Sequence, residues 1–294
     1  GCGVTGIVMS ETHYDSTWAV PLVSKQFGRT VQTLTWDTTS TVASGQRGTI
    51  RTSADGRGNT TTATSWHRGI PRMVTHADGT TRSTEVNASG WVTSTTDENG
   101  FKTCYAYDSM GRLSQVTYPS QASPGSCNTS TWNATTLAFE RVGSPEYGIE
   151  GGHWRHTESK GNRRKITYFD AMWRPRITRE FDSGDEANTR TMVLRRYDVN
   201  PRKTFESYPQ RSIASTHAAP PGVTRSYDGL GRVIEQQADS ELGALTTTTA
   251  YQSGLSTRVT NPRGHATTTT YRAFDNPDEA MAVHIAMPEG VNVS

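Results

Sequence analysis

Tyr107-Asp108-Ser109-Met110-Gly111-Arg112-Leu113 returns later in the chain as Tyr227-Asp228-Gly229-Leu230-Gly231-Arg232-Val233. An acidic residue opening a four-residue turn accepts hydrogen bonds from the backbone N–H groups just ahead. A glycine in the fourth place takes positive φ. Each copy therefore predicts a type I hairpin turn followed by a bulge. The aromatic before Asp and the aliphatic after Arg then stand on the two strands leaving the loop, where cross-strand aromatic and branched pairs contribute roughly 0.2 to 1 kcal/mol each.

Partial copies carry Tyr168 and Asp170, Tyr197 and Asp198, and Asp275 after Ala273-Phe274. Asp170, Asp198 and Asp228 fall about 30 residues apart, and the gap from Asp108 to Asp170 is about twice that, as in a tandem array with one decayed unit. Such a unit cannot bury an apolar face alone, so the architecture must come from stacking neighbours. His13-Tyr14-Asp15 reads as an earlier degenerate copy, and the turns at Asp55-Gly56-Arg57-Gly58 and Asp97-Glu98-Asn99-Gly100 as belonging to the opposite hairpin ends. Two expectations follow. Arg112 and Arg232 bridge to the Asp of a stacked neighbour, and the copies with Trp173 or Pro201 in the fourth place turn differently, because proline is confined to negative φ.

Composition agrees with an all-β repeat. Hydrophobic residues make up 32% of the 294, the net charge is +2 and 20% are charged. That is lean for one compact core, while the runs Thr60 to Thr62, Thr246 to Thr249 and Thr267 to Thr270 suit strands with wet faces. A turn about every 12 residues gives on the order of 24 strands at ~4.8 Å spacing, a ribbon long enough to curl into a hollow ring. Pro277 to Ile285 is the best helical candidate, and its alternation of Val283, Ile285 and Met287 favours a strand. No stretch approaches the ~20 apolar residues of a membrane span, which argues against membrane insertion. The chain begins at Gly1 without a methionine or signal peptide and stops within the repeat texture, so it reads as part of a longer polypeptide.

The turn residues resemble those of the RHS or YD-repeat family, closely at Tyr107 to Arg112 and Tyr227 to Arg232 and partially at Tyr168 to Arg174, Tyr197 to Arg202 and Tyr271 to Pro277. The same texture runs from Ser10 to Glu289. The resemblance implies antiparallel β-hairpins forming a curved ribbon, part of a hollow shell that often encloses a toxic domain C-terminal to it. The expected organisation is a single array over 1–294, with degenerate repeats in 1–100, clearer ones in 101–278, and 279–294 continuing onward. Related toxins close the shell with an Asp-Pro-x-Gly type self-cleavage motif, which Asp275-Asn276-Pro277-Asp278 does not match.

Catalytic and ligand patterns are weak. Gly1-Cys2-Gly3-Val4-Thr5-Gly6 imitates a dinucleotide fingerprint without a strand before it or a βαβ pattern after it. His153 and His156 point oppositely if their segment is a strand, which removes them as a metal pair. The chain lacks a Gly-x-Ser-x-Gly elbow, and its carboxylates lie mainly in turns. Neither an enzyme nor a cofactor is expected. Arg163-Arg164-Lys165 and Arg195-Arg196 form no basic stripe, so nucleic acid is not expected either. Asn87-Ala88-Ser89, Asn128-Thr129-Ser130 and Asn133-Ala134-Thr135 fit the glycosylation sequon and look exposed. Cys104 and Cys127 flank the best copy and are either joined across neighbouring strands or free, with Cys2 left over.

These features lead to a non-catalytic, secreted or surface wall segment whose partner is a C-terminal toxin or effector domain of the same polypeptide. The alternative is an extracellular module binding carbohydrates or cells, with Trp66, Trp91, Trp132 and Trp154 as exposed platforms. Open sheet edges predict self-association.

Overall fold

The computed structural model describes residues 8–38, 46–130, 132–273, 281–288 and 292–293. Phe274, Asp275 and the rest of 274–280, and the Gly1 to Gly6 pattern with Cys2, lie outside them. Among the described residues there are 23 strands and one helix of four residues. The chain divides into two compact units, Gly1–Leu137 and Ala138–Ser294.

The first unit holds β1 Ser10–Tyr14, β2 Pro21–Gln26, β3 Arg29–Trp36, β4 Ile50–Asp55, β5 Thr60–Thr64, β6 Met73–Thr75, β7 Thr81–Val86, β8 Val92–Thr96, β9 Lys102–Tyr107 and β10 Leu113–Thr117. Strand β11, Thr135–Val142, straddles the boundary. The second unit holds β12 His153–Lys160, β13 Arg163–Phe169, β14 Pro175–Asp182, α1 Glu186–Thr189, β15 Thr191–Tyr197, β16 Lys203–Ser207, β17 Gly222–Tyr227, β18 Val233–Ser240, β19 Gly243–Gln252, β20 Ser256–Thr260, β21 Ala266–Arg272, β22 Met281–Ala286 and β23 Asn292–Val293. The fold is all-β. Within the first unit each strand from β1 to β10 pairs antiparallel with the next, as do those from β12 to β23 in the second. The helical candidate ending at Ile285 resolves into β22 over its described part. Threonine tracts fill facing strands, as in Thr257↔Thr269 and Thr248↔Thr260.

The pairing register repeats as well. Tyr107 faces Leu113, Phe169 faces Pro175, Tyr197 faces Lys203 and Tyr227 faces Val233, and after each of these pairs one strand skips a residue. Val86 with Val92 and Trp36 with Ile50 do the same. The bulge raises the local twist and re-aims the residue before the turn.

Burial differs between the units. The buried side chains of the first, among its described residues, are Ser94, Thr117, Ser120 and Thr135, all polar. In the second, Tyr168, Ile177, Met192, Leu194, Phe205 and Ile213 form a small core with Tyr147, Ile149, Ile166 and Ala218 against it. Two connections, 143–152 and 208–221, cover that face. Thr216 N–H donates to the Tyr147 carbonyl (2.8 Å) and Met192 exchanges backbone hydrogen bonds with Gln210. Arg196 holds the second connection through the carbonyls of Thr216 and Ala218 while lying 4.8 Å over the Phe205 ring. Among the described residues, buried apolar side chains are thus confined to one patch of the second unit.

Candidate functional site

The repeated turn has one frame. The Asp108 N–H donates to the Arg112 carbonyl (2.8 Å), and the Gly111 N–H donates back to the Asp108 carbonyl (3.0 Å). Asp108 Oδ1 accepts from the Met110 and Arg112 N–H groups, both at 2.9 Å, and Oδ2 accepts from Arg112 Nε at 2.7 Å. Asp170, Asp198 and Asp228 repeat the carboxylate contacts with the backbone and with Arg174, Arg202 and Arg232. The Arg112 and Arg232 backbone N–H groups, as the largest favourable influence, hold the Asp108 and Asp228 carboxyls below the usual carboxylate range. At Asp198 burial works upward, and the hydrogen bonds from Arg202 and Asn200 together outweigh it, leaving that carboxyl lowered too. Gly111, at φ 77°, is doubly required, because a Cβ there meets the Trp91 ring at 2.5 Å.

Two expectations need correction. Arg112 and Arg232 pair with the Asp of their own turn, not of a neighbour. The forward reach belongs to Arg174 and Arg202 and goes to backbone: Arg174 Nη1 donates to the Asp198 carbonyl (2.8 Å) and Arg202 Nη1 to the Asp228 carbonyl (3.1 Å). A carbonyl serves better because both oxygens of the neighbouring Asp are already occupied. Nor do the Trp173 and Pro201 loops turn differently. Trp173, at φ 62°, keeps the whole frame, while Pro201, at φ 25°, keeps the carboxylate bonds and the Asp198 N–H to Arg202 carbonyl bond but has no N–H to return to the Asp198 carbonyl, so neighbouring contacts impose a backbone that each residue disfavours.

The aromatic before the turn supplies the second link. Its polar hydrogen is donated to the carbonyl just after the preceding turn on the same side: Trp36 to Pro21 (2.8 Å), Trp66 to Ile50 (3.1 Å), Tyr107 to Val92 (2.7 Å), Tyr197 to Pro175 (3.1 Å), Tyr227 to Lys203 (2.7 Å) and Tyr251 to Val233 (3.3 Å). The preceding arginine covers the ring. Arg174 lies 5.1 Å over Tyr197, Arg202 4.9 Å over Tyr227 and Arg232 4.0 Å over Tyr251. Where Asn87 replaces Asp, Trp91 replaces Arg and packs on Tyr107 at 5.2 Å instead. This Asn87 turn, read above as a sequon, is a repeat turn; the signal was Gly90 in the fourth place. Tyr168 is one residue out of phase. It is buried in the core with its phenol pushed up to about 12 by burial, and Phe169 takes the position before Asp170.

The remaining candidates fall as follows. Cys104 and Cys127 are joined, their Cα atoms 5.9 Å apart. His153 and His156 lie on β12, where an odd offset sends them to opposite faces. His153 is buried, with Nε2 3.0 Å from Glu146 Oε2. Arg163 binds Glu158 and Glu180, and Arg195 binds Glu206, so these cations are committed to carboxylates. Of the four expected platforms only Trp132 is exposed; Trp66, Trp91 and Trp154 are half-buried and engaged. Trp173, singled out in the sequence for its turn position and not as a platform, is half exposed beside Trp154. No described helix is long and apolar enough to cross a membrane.

Fold and turn motif together define a tandem β-hairpin repeat protein. More particularly, residues 86–123 match the family model described as RHS Repeat, and the chain carries that repeat there, over the Asn87, Asp97 and Asp108 turns. No curated protein matches. Among solved structures the chain is similar to a Photorhabdus luminescens Tc holotoxin pore carrying a TccC3 variant (10% identity, 95% of this chain and 15% of that chain, TM-score 0.36). It is also similar to a TcdB2-TccC3-Cdc42 structure (11% identity, 95% and 16%, TM-score 0.30) and to TcdB2-TccC3 without its hypervariable C-terminal region (11%, 97% and 17%, TM-score 0.29). The chain spans between 15% and 17% of the length of these solved chains.

Proposed function

We propose that the protein is a non-catalytic wall segment of an RHS-type assembly that encloses a C-terminal toxin or effector domain of the same longer polypeptide and works outside the producing cell. The carrying observation is the linkage from turn to turn: arginine and aromatic side chains bind the next or preceding hairpin through its backbone carbonyls. Hairpins joined at their ends need no continuous core between sheet and cargo. Polar strand faces then suit a wall wetted on both sides, and the disulfide suits an oxidising location. The organisation proposed is one array of repeats through both units.

The test is limited proteolysis of the full natural polypeptide. The reading predicts a C-terminal segment that stays uncut until the repeat region is unfolded. A C-terminal segment digested as fast as an unstructured linker refutes it.

A further inference from the structure

Consecutive antiparallel strands place alternate turns at the same end of a sheet. In the second unit the turns closed by Arg174, Arg202 and Arg232 and the tight one at Gly254 therefore form one row. Contacts tie them in order: Arg174 to the Asp198 carbonyl, Arg202 to the Asp228 carbonyl, and Arg232 over the Tyr251 ring. Two strand spacings, about 9 to 10 Å, separate neighbours.

Turn tips facing water ordinarily carry Gly, Asn, Asp, Ser or Pro. This row carries Met172, Trp173 and Leu255, each more than half exposed, with Val199 at 87% and Leu230 at 79%. The short turns at the other end of the same unit are polar, with Gly161-Asn162, Gly184-Asp185 and Arg263-Gly264 at their tips and Leu242 beside Glu241 as the exception. Two members of the row stand at positive φ, Trp173 at 62° and Leu255 at 55°, a region that glycine enters freely and bulky residues resist. Strain is thus spent on side chains that leave most of their surface in water.

The row is also basic. Each framed turn balances one Asp with one Arg, and Arg195 and Lys203 share Glu206. Beside the turns stand Arg176, Arg196, Arg225 and the exposed Arg258, against Glu235. Arg196 and Arg225 hydrogen-bond carbonyl and amide oxygens, which leave their charge uncancelled.

Separate apolar knobs with polar residues between them make a poor face for a second copy, which needs roughly 800 Å² of close contact per partner. A fluid surface closes around each knob by itself, and the basic surroundings select an anionic one. We propose that this row of turns rests on an anionic lipid surface, with Met172, Trp173, Val199, Leu230 and Leu255 entering the headgroup layer and the flanking arginines facing the phosphates. The contact is peripheral and spans nothing. An indole at the tip suits that boundary, where its ring and its N–H meet apolar and polar surroundings together. The inference is independent of any enclosed cargo.

Flotation of the intact protein with vesicles of phosphatidylcholine, alone or mixed in equal parts with phosphatidylglycerol, tests the assignment, with brominated acyl chains as quenchers of indole fluorescence. Binding to the mixed vesicles is expected, weakened by salt, with quenching that Trp173→Phe reduces. Val199→Ser combined with Leu230→Ser should lower partitioning about tenfold or more, and Leu242→Ser, at the other end, should leave it unchanged. Val199 and Leu230 touch little of the fold, so the double variant stays folded. Absence of binding to the mixed vesicles, equal binding to both kinds, or equal loss in Leu242→Ser overturns the proposal. Self-association without lipid that the double variant abolishes assigns the row to a second copy and overturns it as well.

Discussion

Replacing Arg202 with alanine removes a link between two repeats while leaving both hairpins their own ladders. Arg202 donates from Nη1 to the Asp228 carbonyl at 3.1 Å and lies 4.9 Å over the Tyr227 ring. A charge-assisted hydrogen bond at a part-buried site is worth about 1 to 1.5 kcal/mol and the cation–π contact about 0.5 to 1 kcal/mol. The ion pair with Asp198 adds little, being partly exposed. The expected loss is about 2 kcal/mol, which for a unit of this size lowers the melting temperature by roughly 4 to 8 °C. Arg263→Ala, an exposed side chain in the Asn261 turn, should stay within about 0.5 kcal/mol. Arg202→Lys keeps the charge but loses the planar fork and should recover less than half of the loss. Thermal and urea denaturation of the three variants measure this. Equal melting of Arg202→Ala and Arg263→Ala refutes the link as a source of stability.

Three further outcomes follow from the turns. Pro201→Gly should raise stability by about 1 kcal/mol, because relief of a strained φ near 25° exceeds the added entropy of glycine, and a lower urea midpoint contradicts this. Gly111→Ala should cost more than Gly231→Ala, since both sit at positive φ but only the first drives a Cβ into Trp91, whereas the second meets only the flexible Arg202 side chain at 3.8 Å; paired urea curves decide the order. Asp108 and Asp228 have folded values below their unfolded ones, so they contribute stability that is complete above about pH 4 and is lost as pH falls through the folded values. Melting temperature should therefore hold steady from pH 7 to 5 and drop below 4, with a smaller drop in Asp108→Asn.

The legible part of the molecule was its local chemistry. Asp, Gly and Arg at fixed offsets specify the turn because the bonds that close it lie within four residues, and the threonine tracts announced wet strands. The aromatic links escaped because their acceptors are carbonyls 15 to 24 residues away, and a carbonyl carries no side-chain signature. Tyr168 was misplaced because strands alternate faces, so one residue of phase separates a core phenol from the turn position held by Phe169. The small core went unseen since Ile177 and Leu194 face each other across β14 and β15 but are sealed only when Ile213, Tyr147 and Ile149, from two distant connections, fold over them. Trp173 and Pro201 show residue preference overruled by the frame of neighbouring turns.

The central claim is that hairpins are held to their neighbours, repeat by repeat, without a core common to the first unit. Native-state hydrogen exchange of the intact protein tests it most directly. The account predicts that amides of β4 to β10 open in separate groups matching hairpins, with a graded range of opening free energies. A single opening free energy shared by all those strands, equal to that of global unfolding, contradicts it.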